Sequence, residues 1–297
     1  MAKRIFLFVL TNLAVMATVT LILQLLAAAG YLRAGRGDIV SLAIVCLVWG
    51  MVGSFISLQM SRFIAKRSLG VRLIDGNSGN ADLDWLYNTV GNLARQANVP
   101  MPEVGIYESP EVNAFATGPS KRRSLVAVAT GALRSMGKAE LEGVLGHEIS
   151  HVANGDMVTM TLIQGVMNAF VMFFARILGS IIEQAISGRR DSDRGPSFLY
   201  FIIVQVLQAM LGFLAYFVIA WFSRQRELRA DAGGANLAGR GSMISALRRL
   251  MTVQNAVEAS TPALDTLKIN GGKAGLARLM MTHPPLEERI ARLEGRA

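Results

Sequence analysis

The sequence is poor in cysteine, histidine and charge. Of its 297 residues, one is cysteine, three are histidine and 17% are charged. The single cysteine, Cys46, excludes a disulfide framework within the chain and a cysteine-based metal site. Low charge combined with 52% hydrophobic residues is unusual for a soluble domain. Any metal site must therefore be built from histidine and carboxylate side chains, in a chain whose composition suits a membrane.

Four long stretches contain no charged residue: 5–29, 39–60, 157–175 and 198–222. About 20 apolar residues cross the hydrocarbon core as a helix, so each stretch predicts a membrane-spanning helix. The third contains Asn168, and a buried core helix is the alternative there. The first resembles a signal peptide, but its apolar run exceeds the roughly 7–15 residues of a signal core. We therefore interpret it as an uncleaved anchor.

Lysine and arginine near the predicted spans are distributed unequally between the two sides of the membrane. Nine lie on the side of both termini: Lys3, Arg4, Arg62, Lys66, Arg67, Arg72, Arg224, Arg226 and Arg229. Five lie on the other: Arg33, Arg36, Arg189, Arg190 and Arg194. The positive-inside rule then predicts that the termini and the large polar segments face the cytoplasm. Anionic lipid headgroups suit this basic face, so the net charge of +9 does not require a nucleic-acid partner.

The predicted spans divide the chain into four parts. Residues 1–60 hold two N-terminal transmembrane helices, and residues 157–222 form a transmembrane hairpin. Segments 61–156 and 223–297 together are long enough for one globular domain. The first segment begins with an amphipathic helix, 83–97, followed by β-rich runs at 104–107, 113–117 and 124–129. The second segment is mainly helical, so we expect an α+β domain with a small sheet beside a metal-binding helix.

The stretch His147-Glu148-Ile149-Ser150-His151 gathers two of the three histidines four residues apart. Apolar residues recur at helical spacing around it and Gly155 ends the run, which predicts a helix. On a helix, both imidazoles share one face and can bind the same zinc ion. Glu148 is rotated by about 100° around that helix, where its carboxylate can take a proton from a zinc-activated water. A surface helix with two unliganded histidines is the alternative.

A catalytic zinc usually has three protein ligands, so a third donor is needed. Two membrane crossings after His151 return the chain to the same side near residue 222, five residues before Glu227. Glu183, the only other glutamate between them, would lie near the opposite membrane face. Topology therefore selects Glu227 as the third ligand. The alternative is that Glu227 belongs to an arginine-rich solvated face.

Two further residues are candidates for supporting roles. Asp231 lies one helical turn after Glu227 and can accept a hydrogen bond from the second nitrogen of a ligand imidazole. An ordinary surface charge is the alternative. His283, which opens His283-Pro284-Pro285, could donate to a developing oxyanion or occupy the fourth position on the zinc. A purely structural turn is equally compatible with this sequence.

Taken together and in this order, these motifs are similar to those of the HtpX family of membrane-bound zinc metallopeptidases, relatives of the CAAX prenyl endopeptidases. The resemblance covers nearly the whole chain. It includes both pairs of spans and four motifs: Asn113-Ala114-Phe115-Ala116, His147 to His151 followed by Asn154-Gly155-Asp156, Glu227 to Asp231 with Ala232, and His283-Pro284-Pro285.

The resemblance implies a multi-pass endopeptidase of the bacterial cytoplasmic membrane that removes misfolded or damaged membrane proteins in a stress response. It implies one zinc ion per chain, held by His147, His151 and Glu227, with Glu148 as the catalytic base. The expected fold is α+β and mainly helical, with about four transmembrane helices and a cytoplasmic, zincin-like metalloprotease domain with a small β-sheet.

The segment Asn113 to Thr117 could bind an extended substrate by strand addition, because an edge strand leaves N–H and C=O groups free. A plain hairpin strand of the core is the alternative. Two other classes of function compete with proteolysis. One is a non-catalytic, zinc-stabilised scaffold or chaperone-like binder, although such a site has no use for a base beside an open coordination position. The other is a transporter, suggested by Glu183 and Arg176 near the third span.

Overall fold

The computed structural model describes residues 21, 24, 25, 28, 39–187, 197–260 and 279–295, without the side chains of residues 187 and 256–260. The first predicted span, 5–29, lies almost wholly outside these residues. Eight α-helices lie wholly within these residues: α1 (Ile39–Leu69), α2 (Ala81–Gln96), α3 (Thr130–Ser135), α4 (Lys138–Asn154), α5 (Asp156–Ser187), α6 (Phe198–Ala238), α7 (Arg240–Ser260) and α8 (Leu286–Leu293). The described strands are β1 (Arg72–Ile74), β2 (Glu103–Tyr107), β3 (Ala114–Thr117) and β4 (Leu125–Ala129).

The chain forms two compact units. The first contains residues 1–57 and 160–219, and the second contains residues 58–159 and 220–297. Within the described residues, three helices are long and apolar enough to cross a membrane: α1, α5 and α6. Many of their large apolar side chains are exposed, including Phe55, Phe170 and Phe201. Such surfaces are typical of contact with lipid.

All three helices extend beyond the predicted apolar stretches. Helix α1 continues past residue 60 to Leu69, α5 past residue 175 to Ser187, and α6 past residue 222 to Ala238. Residues 223–238 include three arginines and four alanines, which are good helix formers, and no proline. One continuous helix therefore carries both an apolar stretch and the polar turn that contains Glu227 and Asp231.

The second unit contains a four-stranded sheet in the order β1-β2-β4-β3. Strands β2 and β4 are parallel, while β1 and β3 pair antiparallel with β2 and β4 respectively. Strand β4 is buried along its whole length, as expected for a central apolar run. The three predicted strands are observed within one residue of their predicted starts. The short, largely exposed β1 has too little apolar pattern to be predicted.

The core of the second unit lies where α2 and α4 cover this sheet. Helix α2 is capped by the Asn80 side chain, which accepts from the N–H groups of Asp82 and Leu83. Its buried face includes Leu86 and Val90. They belong to the same core cluster as Leu145 and Ile149 of α4, and residues of the strands belong to that cluster too. The face of α4 that anchors it in the core is thus apolar, which leaves a separate face for the histidines.

Glycines allow the backbones of α4 and α6 to approach closely beside the histidines. A Cβ atom on Gly146 would lie 3.0 Å from the Cβ of Ala238. A Cβ on Gly234 would lie 2.9 Å from the backbone nitrogen of His147. Larger residues at either position would push the helices apart. This close packing brings the polar turn of α6 to the histidine face of α4.

Candidate metal centre

Helix α4 presents His147 and His151 on one face. Both residues are buried, and their Nε2 atoms lie 3.0 Å apart. The helix ends at Gly155, whose left-handed backbone (φ 69°) turns the chain directly into α5 at Asp156. The predicted helix is observed, and its four-residue spacing brings the two imidazoles to one point.

Glu227 reaches the same point from α6. Only 1% of this residue is exposed. Its Oε2 atom lies 3.4 Å from Nε2 of His147, and its Oε1 atom lies 3.4 Å from Nε2 of His151. Ligand atoms of the three residues all lie within 4.8 Å of one another, so the group could hold a metal ion. The structure therefore brings together the three side chains that topology selects from the sequence.

The other nitrogen of each imidazole faces a buried carboxylate. Nδ1 of His147 lies 2.9 Å from Oδ1 of Asp231, and Nδ1 of His151 lies 2.7 Å from Oδ2 of Asp156. Both aspartates are about 2% exposed. Carboxylates in this position orient an imidazole and raise its basicity as a ligand. Asp231 is thus a buried partner of His147 rather than a surface charge, and Asp156 contacts His151 in the same way.

Arg289 of α8 completes the buried charge network. Its Nε and Nη2 atoms donate to Oδ2 and Oδ1 of Asp231 at 2.7 and 2.6 Å. Nη2 also lies 3.9 Å from Oε2 of Glu227. A planar guanidinium suits this bidentate geometry, which a lysine could not reproduce. Arg289 therefore fixes Asp231, and through it the ring of His147.

His283 contacts the metal-binding group as well. Its Nδ1 atom lies 3.0 Å from Oε2 of Glu227, although the imidazole is 59% exposed. Arg224 donates to the carbonyl oxygens of Leu279 and Met281 at 2.8 and 2.7 Å, which holds the segment before His283 against α6. The imidazole therefore lies at the edge of the candidate metal centre, and its chemical role stays a prediction.

Glu148 is tied to the edge strand of the sheet. Its Oε2 atom accepts a hydrogen bond of 2.7 Å from the backbone N–H of Ala116 in β3. The carbonyl oxygen of Asn113 accepts a hydrogen bond from the backbone N–H of Ala129 in β4, so the backbone groups of residue 113 point toward β4. Hydrogen-bonding direction alternates along an antiparallel strand, so the polar backbone groups of Ala114 and Ala116 face the free edge. The base candidate and an open strand edge thus lie side by side, with the exposed side chain of Asn113 lining the cavity next to them.

The carboxylates change the protonation of the two imidazoles. Burial lowers the pKa of His151, but the contacts with Asp156 and Glu227 outweigh it and raise the pKa from 6.5 to about 9. Burial likewise opposes the charged form of His147, and the contacts with Asp231 and Glu227 again raise its pKa. The pKa of Arg289 is also raised, since its ion pair with Asp231 outweighs burial. A positive charge is therefore favoured on the two imidazoles.

The donor set fits a divalent metal ion. A tetrahedral ion with bonds of about 2.0–2.1 Å separates its donors by about 3.3 Å, close to the separations observed. Oε1 of Glu227 is buried and makes no hydrogen bond among the described residues, although Nε2 of His151 lies 3.4 Å away and Nε of Arg226 lies 3.6 Å away. A bound cation would satisfy this buried oxygen better than these long contacts do. His147, His151 and Glu227 would hold the ion.

Sequence reasoning misses two members of this site. Asp156 follows a helix-ending glycine, and nothing in its sequence environment separates it from an ordinary first-turn acid of α5. Arg289 lies in a short helix of mixed charge, where a solvated arginine is the usual expectation. A signal for Arg289 does exist, because Leu286, Ile290 and Leu293 form the apolar face of α8 and Arg289 falls on that face.

Comparisons with known proteins identify the family of this chain. The sequence profile of Peptidase family M48 matches residues 80–297. The chain belongs to peptidase family M48. It is 51% identical to "Protease HtpX" of Aeromonas hydrophila subsp. hydrophila, over 99% of this chain and all of that protein. It is 48% identical to "Protease HtpX homolog" of Methylacidiphilum infernorum (isolate V4), over 99% of each. The resemblance inferred from the motifs is thereby confirmed.

The fold of this M48 peptidase also has a solved counterpart. The crystal structure of S. mikatae Ste24p superimposes with a TM-score of 0.64 at 17% identity, covering 99% of this chain and 67% of that one. The predicted fold class, mainly helical α+β with a small sheet and membrane helices, is confirmed. The protein is a membrane-bound metallopeptidase, and the family to which it belongs depends on a metal.

Proposed function

We propose that this M48 peptidase is a zinc endopeptidase of the bacterial cytoplasmic membrane that cleaves misfolded or damaged membrane proteins. The observation that carries the proposal is the meeting of His147, His151 and Glu227 beside Glu148. A set of two imidazoles and one carboxylate, with the fourth position left for water, is typical of catalytic zinc. When bound, zinc supplies a Lewis acid that polarises the scissile carbonyl and acidifies water.

Residues of this chain carry out the remaining steps of substrate binding and proton transfer. Glu148 takes a proton from the attacking water and later returns it to the leaving amine nitrogen as the C–N bond breaks. The free edge of β3 binds the substrate backbone by strand addition, so that many side chains are tolerated. The His283 imidazole donates to the oxygen that becomes negative in the transition state. Asp231 and Asp156 hold the two ligand imidazoles in the tautomer that leaves Nε2 free for the metal.

The location within the cell is part of the same proposal. The unequal distribution of lysine and arginine supports a cytoplasmic peptidase domain made of segments 61–156 and 223–297. The division of the chain near residues 57, 159 and 219 agrees with that assignment. The apolar helices α1, α5 and α6 would then cross the lipid bilayer. Membership of a peptidase family gives no support to the alternative of a non-catalytic scaffold.

The experiment uses the full chain in proteoliposomes, loaded with zinc and given a destabilised membrane protein as substrate. We expect cleavage fragments, identified by mass spectrometry, that vanish with a zinc chelator and return when zinc is restored. The folded form of the same substrate is the matched control and should be cut much more slowly. Absence of fragments from both forms, with zinc bound, would contradict the proposed function.

A further inference from the structure

Three consecutive large apolar side chains are exposed just before His283 in the second unit. Leu279, Met280 and Met281 are 53%, 38% and 43% exposed. A contiguous exposed apolar patch of this kind usually marks a contact surface. The metal centre does not explain the patch, because His283 reaches Glu227 with its own imidazole two residues later.

This 279–281 segment is fixed to α6. Nη1 of Arg224 donates to the carbonyl oxygens of Leu279 and Met281 at 2.8 and 2.7 Å. Trp221 lies three residues before Arg224, so both side chains leave α6 on the same side. Trp221 is half exposed as well. The helix and the segment therefore present apolar side chains next to each other.

The position along α6 identifies lipid as the partner of this patch. Residues 198–222 carry no charge, and Arg224 is the first charged residue after them. Tryptophan and arginine are favoured where a membrane helix leaves the hydrocarbon, because indole and guanidinium groups suit the headgroup level. Trp221 and Arg224 therefore mark that level on α6, and Arg224 holds the 279–281 segment there. Apolar side chains at this level gain by entering the boundary between headgroups and acyl chains.

We propose that the 279–281 segment inserts into the bilayer interface beside α6, and that this contact holds His283 at Glu227. Only Thr282 separates the segment from His283, so the two ends of this short stretch move together. The two prolines after the histidine restrict the backbone further. The link to His283 rests on the proposed peptidase function, in which this imidazole donates to the oxyanion. Contact with the membrane then becomes a condition for full activity.

Spin labelling of the full chain in vesicles of phosphatidylethanolamine and phosphatidylglycerol measures the contact directly. Cys46 is the single cysteine, so Cys46→Ser combined with Met281→Cys carries one label. Asp82→Cys in the same background is the matched control, because the side chain of Asp82 on α2 is 78% exposed. The label at residue 281 should collide more with oxygen, which concentrates in the bilayer, than with a water-soluble nickel chelate. The label at residue 82 should show the reverse.

Two results with these labels would overturn the proposal. One is a label at residue 281 with the same accessibilities as the label at residue 82. The other is a label at residue 281 shielded from both reagents, since protein rather than lipid would then cover the segment. Neither result depends on peptidase activity, so the membrane contact is tested separately from the proposed function.

Cleavage of a destabilised membrane protein in proteoliposomes tests the link to His283. Leu279→Ser combined with Met281→Ser removes two apolar side chains but keeps both carbonyl groups that accept from Arg224. In this serine pair, kcat should fall by about tenfold or more at unchanged zinc content, within the roughly 10²–10³-fold that loss of one oxyanion donor costs. Leu279→Met combined with Met281→Leu keeps the apolar character and should retain the wild-type kcat.

Met101→Ser is the matched control for the loss of an exposed apolar side chain. Met101 is 39% exposed, and its sulfur lies beside Gly91 of α2. A serine pair as active as Met101→Ser would overturn the link between the membrane and His283. An equal loss in the serine pair and in the conservative pair would overturn it too, because apolar character could not then be the cause. No cleavage by the zinc-loaded wild type would overturn the peptidase function and this link with it, while the labels would still decide the membrane contact.

Discussion

Replacing Arg289 by methionine should destabilise the second unit severely, although the change keeps the length and most of the apolar volume of the side chain. Arg289 is 7% exposed, and Asp231, to which it donates at 2.7 and 2.6 Å, is 2% exposed. Removing one partner of a buried ion pair costs about 3–5 kcal/mol, because the other charge is left uncompensated. A unit of this size loses about 2–4 °C in melting temperature per kcal/mol, so Tm should fall by roughly 6–20 °C.

The assay compares melting of zinc-loaded protein in detergent with a matched variant, Arg248→Met. Arg248 forms an ion pair of similar length, 2.7 Å, with Glu294, but its side chain is 62% exposed. Exposed pairs are worth about 0–1 kcal/mol, which limits the expected loss to roughly 4 °C. Adding Asp231→Asn to Arg289→Met should recover part of the lost Tm, since it removes the buried negative charge that has lost its arginine and keeps only the contact with His147. Equal shifts for the two arginine variants, or no recovery in the double variant, would refute the reasoning.

Three further predictions concern the metal centre. Asp156→Asn should weaken zinc binding roughly 10- to 100-fold, because it removes the carboxylate beside Nδ1 of His151. Competition with a chelating dye measures the affinity, and an unchanged affinity would argue against that contact. Zinc binding near neutral pH should release a proton, because the pKa of His151 is raised to about 9 in the metal-free protein and zinc binds the neutral imidazole. Calorimetry in buffers of different ionisation enthalpy detects that proton, and a buffer-independent enthalpy would contradict it. By the same linkage, the stabilisation that this raised pKa gives the metal-free fold is complete below about pH 6.5 and is lost as the pH rises through about 9. Ala116→Pro should lower kcat while zinc content stays constant, because it removes the backbone N–H that orients Glu148. The strand lies at the edge of the sheet, where proline is tolerated. An unchanged kcat would show that the hydrogen bond has no catalytic role.

The parts of the site that follow from sequence are those with a periodic or topological signal. His147 and His151 are found because helical spacing aligns them. Glu227 is found because the charge-free stretches predict two membrane crossings, which return the chain to the side of the histidines shortly before this residue. Both arguments use regularities that a helix or a bilayer imposes over many residues. They therefore hold even though α6 runs on as one helix past the predicted end of its apolar stretch.

The partners of those residues depend on tertiary packing, which leaves little trace in the sequence. Asp156 contacts His151 because the left-handed backbone of Gly155 ends α4 directly before it, and a glycine at a helix end does not by itself predict such a contact. Arg289 reaches Asp231 because α8 packs its apolar face toward the second unit's helices. The short β1 depends entirely on pairing with β2. Each of these contacts is decided by which elements meet, so local pattern cannot predict it.

The central claim is that His147, His151 and Glu227 hold one catalytic zinc that Glu148 uses to cleave peptide bonds. Zinc content and cleavage rate, measured on the same preparations of wild type and Glu148→Gln, test it most directly. The amide has nearly the same shape as the carboxylate but cannot accept the proton. We predict one zinc per chain in both proteins and cleavage in the wild type alone. A Glu148→Gln protein that holds zinc and still cleaves at the wild-type rate would contradict the account.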